Sequence, residues 1–104
     1  VATKAGVKLD SGKIKAGVLA EFHLALLKVA EVGTFGADKY TRGGWQEVDN
    51  GLERYWDAMW RHLLTPGNDE ESGLPHLAHF VWNALAVLQL ELDGEEDGQE
   101  ESAA

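Results

Sequence analysis

Between Arg61 and Asn83 the chain gathers Arg61, His62, Asp69, Glu71, Ser72, Gly73, His76, His79 and Asn83, and three of its four histidines are among them. Imidazole, carboxylate, hydroxyl and guanidinium groups at that density can bind a metal ion, move protons or hold phosphate, and a hydrophobic core has no need of the mixture. His76 and His79 stand three residues apart in a helical pattern, a spacing that lets both rings reach one ion. His62 and Asp69 flank a short turn and can complete a ligand set. Histidine with carboxylate suits zinc, manganese, iron or cobalt, whereas magnesium prefers oxygen ligands. Each group also has a structural reading. Histidines are often core residues with satisfied hydrogen bonds, Asp69-Glu70-Glu71 can be solvated acids ahead of a helix N-terminus, and Ser72-Gly73 serves equally as a helix cap or an anion site.

Three helices must position these groups. Apolar residues recur at helical spacing at Val18, Phe22, Ala25, Leu26, Val29, Ala30 and Val32, which predicts a helix from Ala16 to about Ala37. Leu19, Leu24 and Leu27 fill another face, so this helix should be buried on two sides, with His23 at the core edge and Gly33 and Gly36 weakening its last turn. After a Gly-rich loop, Asp49 or Asn50 is a candidate N-cap for a second helix that ends near Thr65, before Pro66-Gly67. Leu52, Tyr55, Trp56, Met59 and Leu63 line one side of it, His62 lies at the edge of that stripe, and Asp57 can pair with Arg61. The third helix should start between Ser72 and Pro75, with Ser72 as cap, and reach about Leu92. Leu77, Val81, Ala84, Leu85, Leu88 and Leu92 share one of its faces. His76, His79 and Asn83 form a stripe opposite, flanked by Phe80, Val87 and Leu90, and a helix so apolar all round is expected to be buried. Buried imidazole and amide groups cost about 1 to 3 kcal/mol each if unpartnered, so they either bond to one another or face a hydrated pocket.

With 104 residues the chain predicts one all-α domain over residues 1–92, a small bundle of three main helices, and a disordered acidic tail over 93–104. A core this small favours a homo-oligomer. Seven unopposed acids from Glu91 to Glu101 account for most of the formal net charge of −9 and leave −2 on residues 1 to 90. Residues 1 to 45 carry +3, which suits a small anion but lacks the dense basic stripe that nucleic acid demands. There is no cysteine, hence no thiolate zinc site and no disulfide. Neither a signal peptide nor a membrane-spanning run is read, so a soluble, cytoplasmic protein with no membrane partner is expected.

Taken in order, D-x-G-K at Asp10 to Lys13, F-G-A-D-K-Y at Phe35 to Tyr40, Trp45, R-H-L-L at Arg61 to Leu64 and D-E-E-S-G-L-P-H-L-A-H-F-V-W-N-A-L at Asp69 to Leu85 resemble the phage dATP/dGTP diphosphohydrolase N-terminal family. The likeness spans roughly residues 8 to 92. That family looks related to MazG-like all-α nucleotide pyrophosphohydrolases, which implies a hydrolase cleaving a deoxynucleoside triphosphate to monophosphate and pyrophosphate in the host cytoplasm. The resemblance implies catalytic and metal roles for His62, Asp69, His76 and His79 with a divalent ion such as Mg, Mn or Zn. It implies substrate-binding roles for Lys13, Lys39, Tyr40, Trp45, Arg61, Ser72 and Asn83, with Tyr40 or Trp45 against the base. The paired E-x-x-E and E-x-x-D carboxylates typical of MazG-like enzymes are not intact on the second and third helices. Glu53 with Asp57, and His76 with His79, are the nearest substitutes. Two rival functions follow: a protein that binds or sequesters a nucleotide or signalling nucleotide without cleaving it, and an inhibitor acting through its acidic surface.

Overall fold

The structure is a computed structural model that describes residues 5–103, with side chains described to residue 95. A 3-10 segment, Ala16–Phe22, leads into α1 (His23–Lys39). A second short 3-10 turn at Gly44–Glu47 precedes α2 (Gly51–Leu63), and α3 (His76–Ala103) completes the chain. Among the described residues there is no strand, only an isolated bridge between Asn68 and Pro75. The chain is all-α, as its periodicity predicts.

α2 and α3 form the main packed pair and run antiparallel. Leu90 lies beside Gly51 near the start of α2, Trp82 beside Tyr55 one turn on, and His76 and His79 beside His62 at its end. α1 packs less extensively on α3. Gly33 explains how the two approach: a Cβ there would lie 3.1 Å from Nε1 of Trp82, so the glycine makes room for the indole. The helix accordingly runs through Gly33 and Gly36 to Lys39, past the end expected at Ala37.

The inward surfaces differ from the expected ones. On α3 the buried residues are Ala78, His79, Asn83, Ala86 and Val87, whereas Leu77, Leu85, Leu88 and Leu92 are exposed. The polar stripe faces the core and the leucine face lies outside. On α1 only Val29 and Val32 are buried; Leu24, Leu26 and Leu27 are exposed and so is His23, correcting the two-sided burial and the core-edge histidine. Of the expected α2 stripe Met59 is buried, while Leu52, Trp56 and Leu63 lie outside. The physical reason is common to all three. A chain with three helices has too few neighbours to cover every apolar face, and small residues on α3 permit the closest approach.

Terminal details also shift. Asn50 occupies the N-cap of α2 in a left-handed conformation with φ 57°, and its side chain makes no cap bond. α3 begins at His76, after Pro75, so Ser72 lies outside the helix and does not cap it. Its backbone continues helical to Ala103, beyond the end expected at Leu92, through a glutamate-rich stretch that no proline interrupts, in spite of Gly94 and Gly98. Side chains past Glu95 lie outside the described residues, and with them most of the acidic tail. Asp57 and Arg61 do not pair: the ion pairs among the described residues are Lys28–Glu31 and Lys39–Glu71.

Candidate functional site

The loop between α2 and α3 folds back on itself through backbone bonds. The Asp69 N–H donates to the Leu74 carbonyl at 2.8 Å, the Gly73 N–H to the Asp69 carbonyl at 2.8 Å, and the His76 N–H to the Gly67 carbonyl at 2.9 Å. Gly67 and Gly73 take φ values of 82° and 73°, a left-handed region that side chains other than glycine rarely occupy. These two turns return the chain so that α3 starts beside the end of α2. Asp69 and Ser72 are thereby carried over the histidines.

Around that junction five side chains converge. His62 Nδ1 and His76 Nδ1 lie 2.8 Å apart. The ring of His62 stacks on that of His79 with centroids 4.6 Å apart and planes 16° from parallel. His79 Nε2 is 2.7 Å from Ser72 Oγ. Because Ser72 Oγ already accepts the Leu74 N–H at 3.1 Å, its own proton is free to go to the imidazole. Asp69 accepts the Ser72 N–H at 2.8 Å, which orients its carboxylate. Ligand atoms of His62, Asp69 and His76 all fall within 4.8 Å of one another, and all three residues are half-buried.

The electrostatics keep His62, His79 and Asp69 in the forms that accept a cation. Burial, reinforced by the neighbouring His79 and His76, holds His62 below the ordinary histidine range. Burial does the same for His79 against the opposing pull of Asp69. The backbone N–H of Ser72 holds the Asp69 carboxyl below its usual value. Near neutral pH His62 and His79 are therefore held in the unprotonated form beside an ionised Asp69 carboxylate.

The remaining predicted residues are placed as follows. Asn83 is buried beneath the cluster and donates through Nδ2 to the His79 carbonyl at 2.8 Å, bracing the helix turn that carries the ring. Lys39, at the end of α1, pairs with Glu71 of the loop and stands 5.3 Å from the centroid of the Tyr40 ring. The pairing raises its pKa. Glu71, read from sequence only as an acid near the site, thus ties α1 to the site loop; no local pattern pairs residues 32 positions apart. Tyr40 is exposed. Trp45 is half-buried among Tyr55 and Trp82, with centroids 6.0 and 5.8 Å away, and its carbonyl accepts the Tyr55 hydroxyl at 2.6 Å. Arg61 is exposed on α2, and Lys13 borders an open concavity formed by residues 8–17 alone. Neither makes a hydrogen bond or ion pair with the cluster among the described residues.

No helix among the described residues is long and apolar enough to cross a membrane. No curated protein and no solved structure matches the chain. The family model described as dATP/dGTP diphosphohydrolase, N-terminal, matches residues 3–100, which include every group of the histidine cluster. On that match the chain belongs to the dATP/dGTP diphosphohydrolase N-terminal family.

Proposed function

We propose that the protein hydrolyses a deoxynucleoside triphosphate to the monophosphate and pyrophosphate at the α2–α3 junction. The observation that carries this reading is the convergence of His62, Asp69, Ser72, His76 and His79 on one spot, in a chain of a diphosphohydrolase family. Water adds to phosphorus, the bond to the pyrophosphate oxygen breaks, and one proton of the water is removed. His79 is the base, accepting that proton at Nε2 through the Ser72 hydroxyl. Asp69 orients Ser72 through its backbone N–H. Lys39, when it leaves Glu71, neutralises phosphate charge, and the adjacent exposed Tyr40 stacks on the base. The donor set of two imidazole nitrogens and a carboxylate fits a divalent ion held by His62, Asp69 and His76. Such an ion, when bound, offsets phosphate charge and lowers the pKa of bound water.

The exposed leucines of α1 and α3 support a homo-oligomer, in which Arg61 and Lys13 of one copy can reach the site of another. Light scattering should then return a mass above that of one chain. Incubating the purified protein with dGTP or dATP and Mn²⁺ or Mg²⁺ should release pyrophosphate. No pyrophosphate from any triphosphate overturns hydrolysis. One observation favours a second reading, nucleotide binding without cleavage. Glu53 and Asp57, the nearest substitutes for the missing carboxylate pairs, are exposed on α2 and bond to nothing in the cluster. Stoichiometric binding with intact nucleotide recovered selects it.

A further inference from the structure

We propose that His62 Nδ1, His76 Nδ1 and the Asp69 carboxylate form a centre selective for first-row transition metals over magnesium, with His79 excluded from the ligand set. The three ligands come from the end of α2, the connecting loop and the first residue of α3, so a bound ion would fasten both helices and the loop together. Two nitrogens held about 2.0–2.1 Å from one tetrahedral ion sit about 3.4 Å apart. His62 Nδ1 and His76 Nδ1 are hydrogen-bonded at 2.8 Å, so an ion would take the place of the shared proton, which can move to a distal ring nitrogen. A shift of a few tenths of an ångström in each ring opens that pair to the required spacing, with Asp69 within 4.8 Å as the third ligand. Two imidazoles and one carboxylate match the preferences of zinc, cobalt, iron or manganese, and leave coordination positions open for water or a phosphate oxygen. Magnesium wants oxygen ligands in an octahedron, and this cluster supplies one carboxylate.

His79 is kept out by its own geometry. Its Nε2 is engaged by Ser72 Oγ at 2.7 Å, and its ring lies flat against that of His62, an arrangement that turns its nitrogens aside from the ion. It acts beside the centre, positioning Ser72 and packing the ligand ring of His62. The inference shares its three ligands with the proposed hydrolytic site, but it does not depend on hydrolysis.

The test is a titration of the metal-free full chain with cobalt(II), read by visible d–d absorption. Saturation at one equivalent per chain is expected, with zinc displacing cobalt and millimolar magnesium failing to do so. His79→Ala should retain the spectrum, whereas His76→Ala should weaken binding at least tenfold. Asp69→Asn, a loop substitution that conserves shape, serves the same purpose if His76→Ala fails to fold. No saturable spectrum, displacement by magnesium, or equal loss in His79→Ala and His76→Ala overturns the proposal. A chain that releases pyrophosphate with magnesium yet shows no cobalt centre sinks this inference alone. One that binds cobalt and leaves every triphosphate intact sinks only the hydrolytic reading.

Discussion

The α2–α3 pair has two ends built from rings, and they are used in opposite ways. At one end Trp45, Tyr55 and Trp82 meet edge to face, with centroid separations of 5.8 to 6.0 Å, and the one hydroxyl is spent on a backbone carbonyl. At the other end His62, His76 and His79 meet with ring nitrogens facing each other, a hydroxyl and a carboxylate. Trp82 and His79 are less than one helical turn apart on α3. The aromatic end is packed for stability, while the imidazole end gathers ring nitrogens, a hydroxyl and a carboxylate in one hydrogen-bonded cluster that a cation can enter by displacing the proton shared between His62 and His76. Stability and chemistry are thus separated along a single helix pair.

The contrast can be broken most forcefully at Trp82. Trp82→Ala removes two aromatic pairs and leaves a void, and should cost about 3–5 kcal/mol in urea unfolding. Cobalt binding, measured below the lowered Tm, should persist; its loss would mean that the two ends are not independent. Asp69→Asn should reverse the pattern. Pyrophosphate release should fall about 100-fold, equivalent to about 2.7 kcal/mol in the barrier, while the urea midpoint falls far less than in Trp82→Ala. Gly33→Val drives a side chain into the Trp82 indole and should destabilise by about 1–3 kcal/mol, sharpening the view that this glycine serves the aromatic end. Tyr55→Phe deletes only the bond to the Trp45 carbonyl and should cost about 1 kcal/mol without altering metal affinity.

The mildest effect is a pH slope confined to the imidazole end. His62 and His79 have folded-state pKa values below those of the unfolded chain, so the unfolded state takes up protons first on acidification. Stability of the metal-free protein should therefore be intact above the ordinary histidine range and decline as pH falls through it. A further decline follows as pH drops through the depressed pKa of Asp69. A urea midpoint that rises on acidification across the histidine range would contradict this arrangement.

Periodicity was enough to read three helices, the break at Pro66-Gly67 and the grouping of His62, Asp69, Ser72, His76 and His79, because helical spacing and turn residues are local properties of a chain. The ordered motifs were likewise enough for the family, which the match over residues 3–100 shows. Which face of α3 turns inward was not legible. Between His76 and Leu92 leucines outnumber alanines, yet Ala78, Ala86 and Val87 are buried, and His79 and Asn83 with them. Nor could spacing tell that His79 pairs with Ser72 while His62 and His76 meet nitrogen to nitrogen, or that Lys39 finds Glu71. Those choices depend on the angle at which helices cross and on where two left-handed glycines return a loop, which involve contacts between residues distant in the chain and leave no periodic trace.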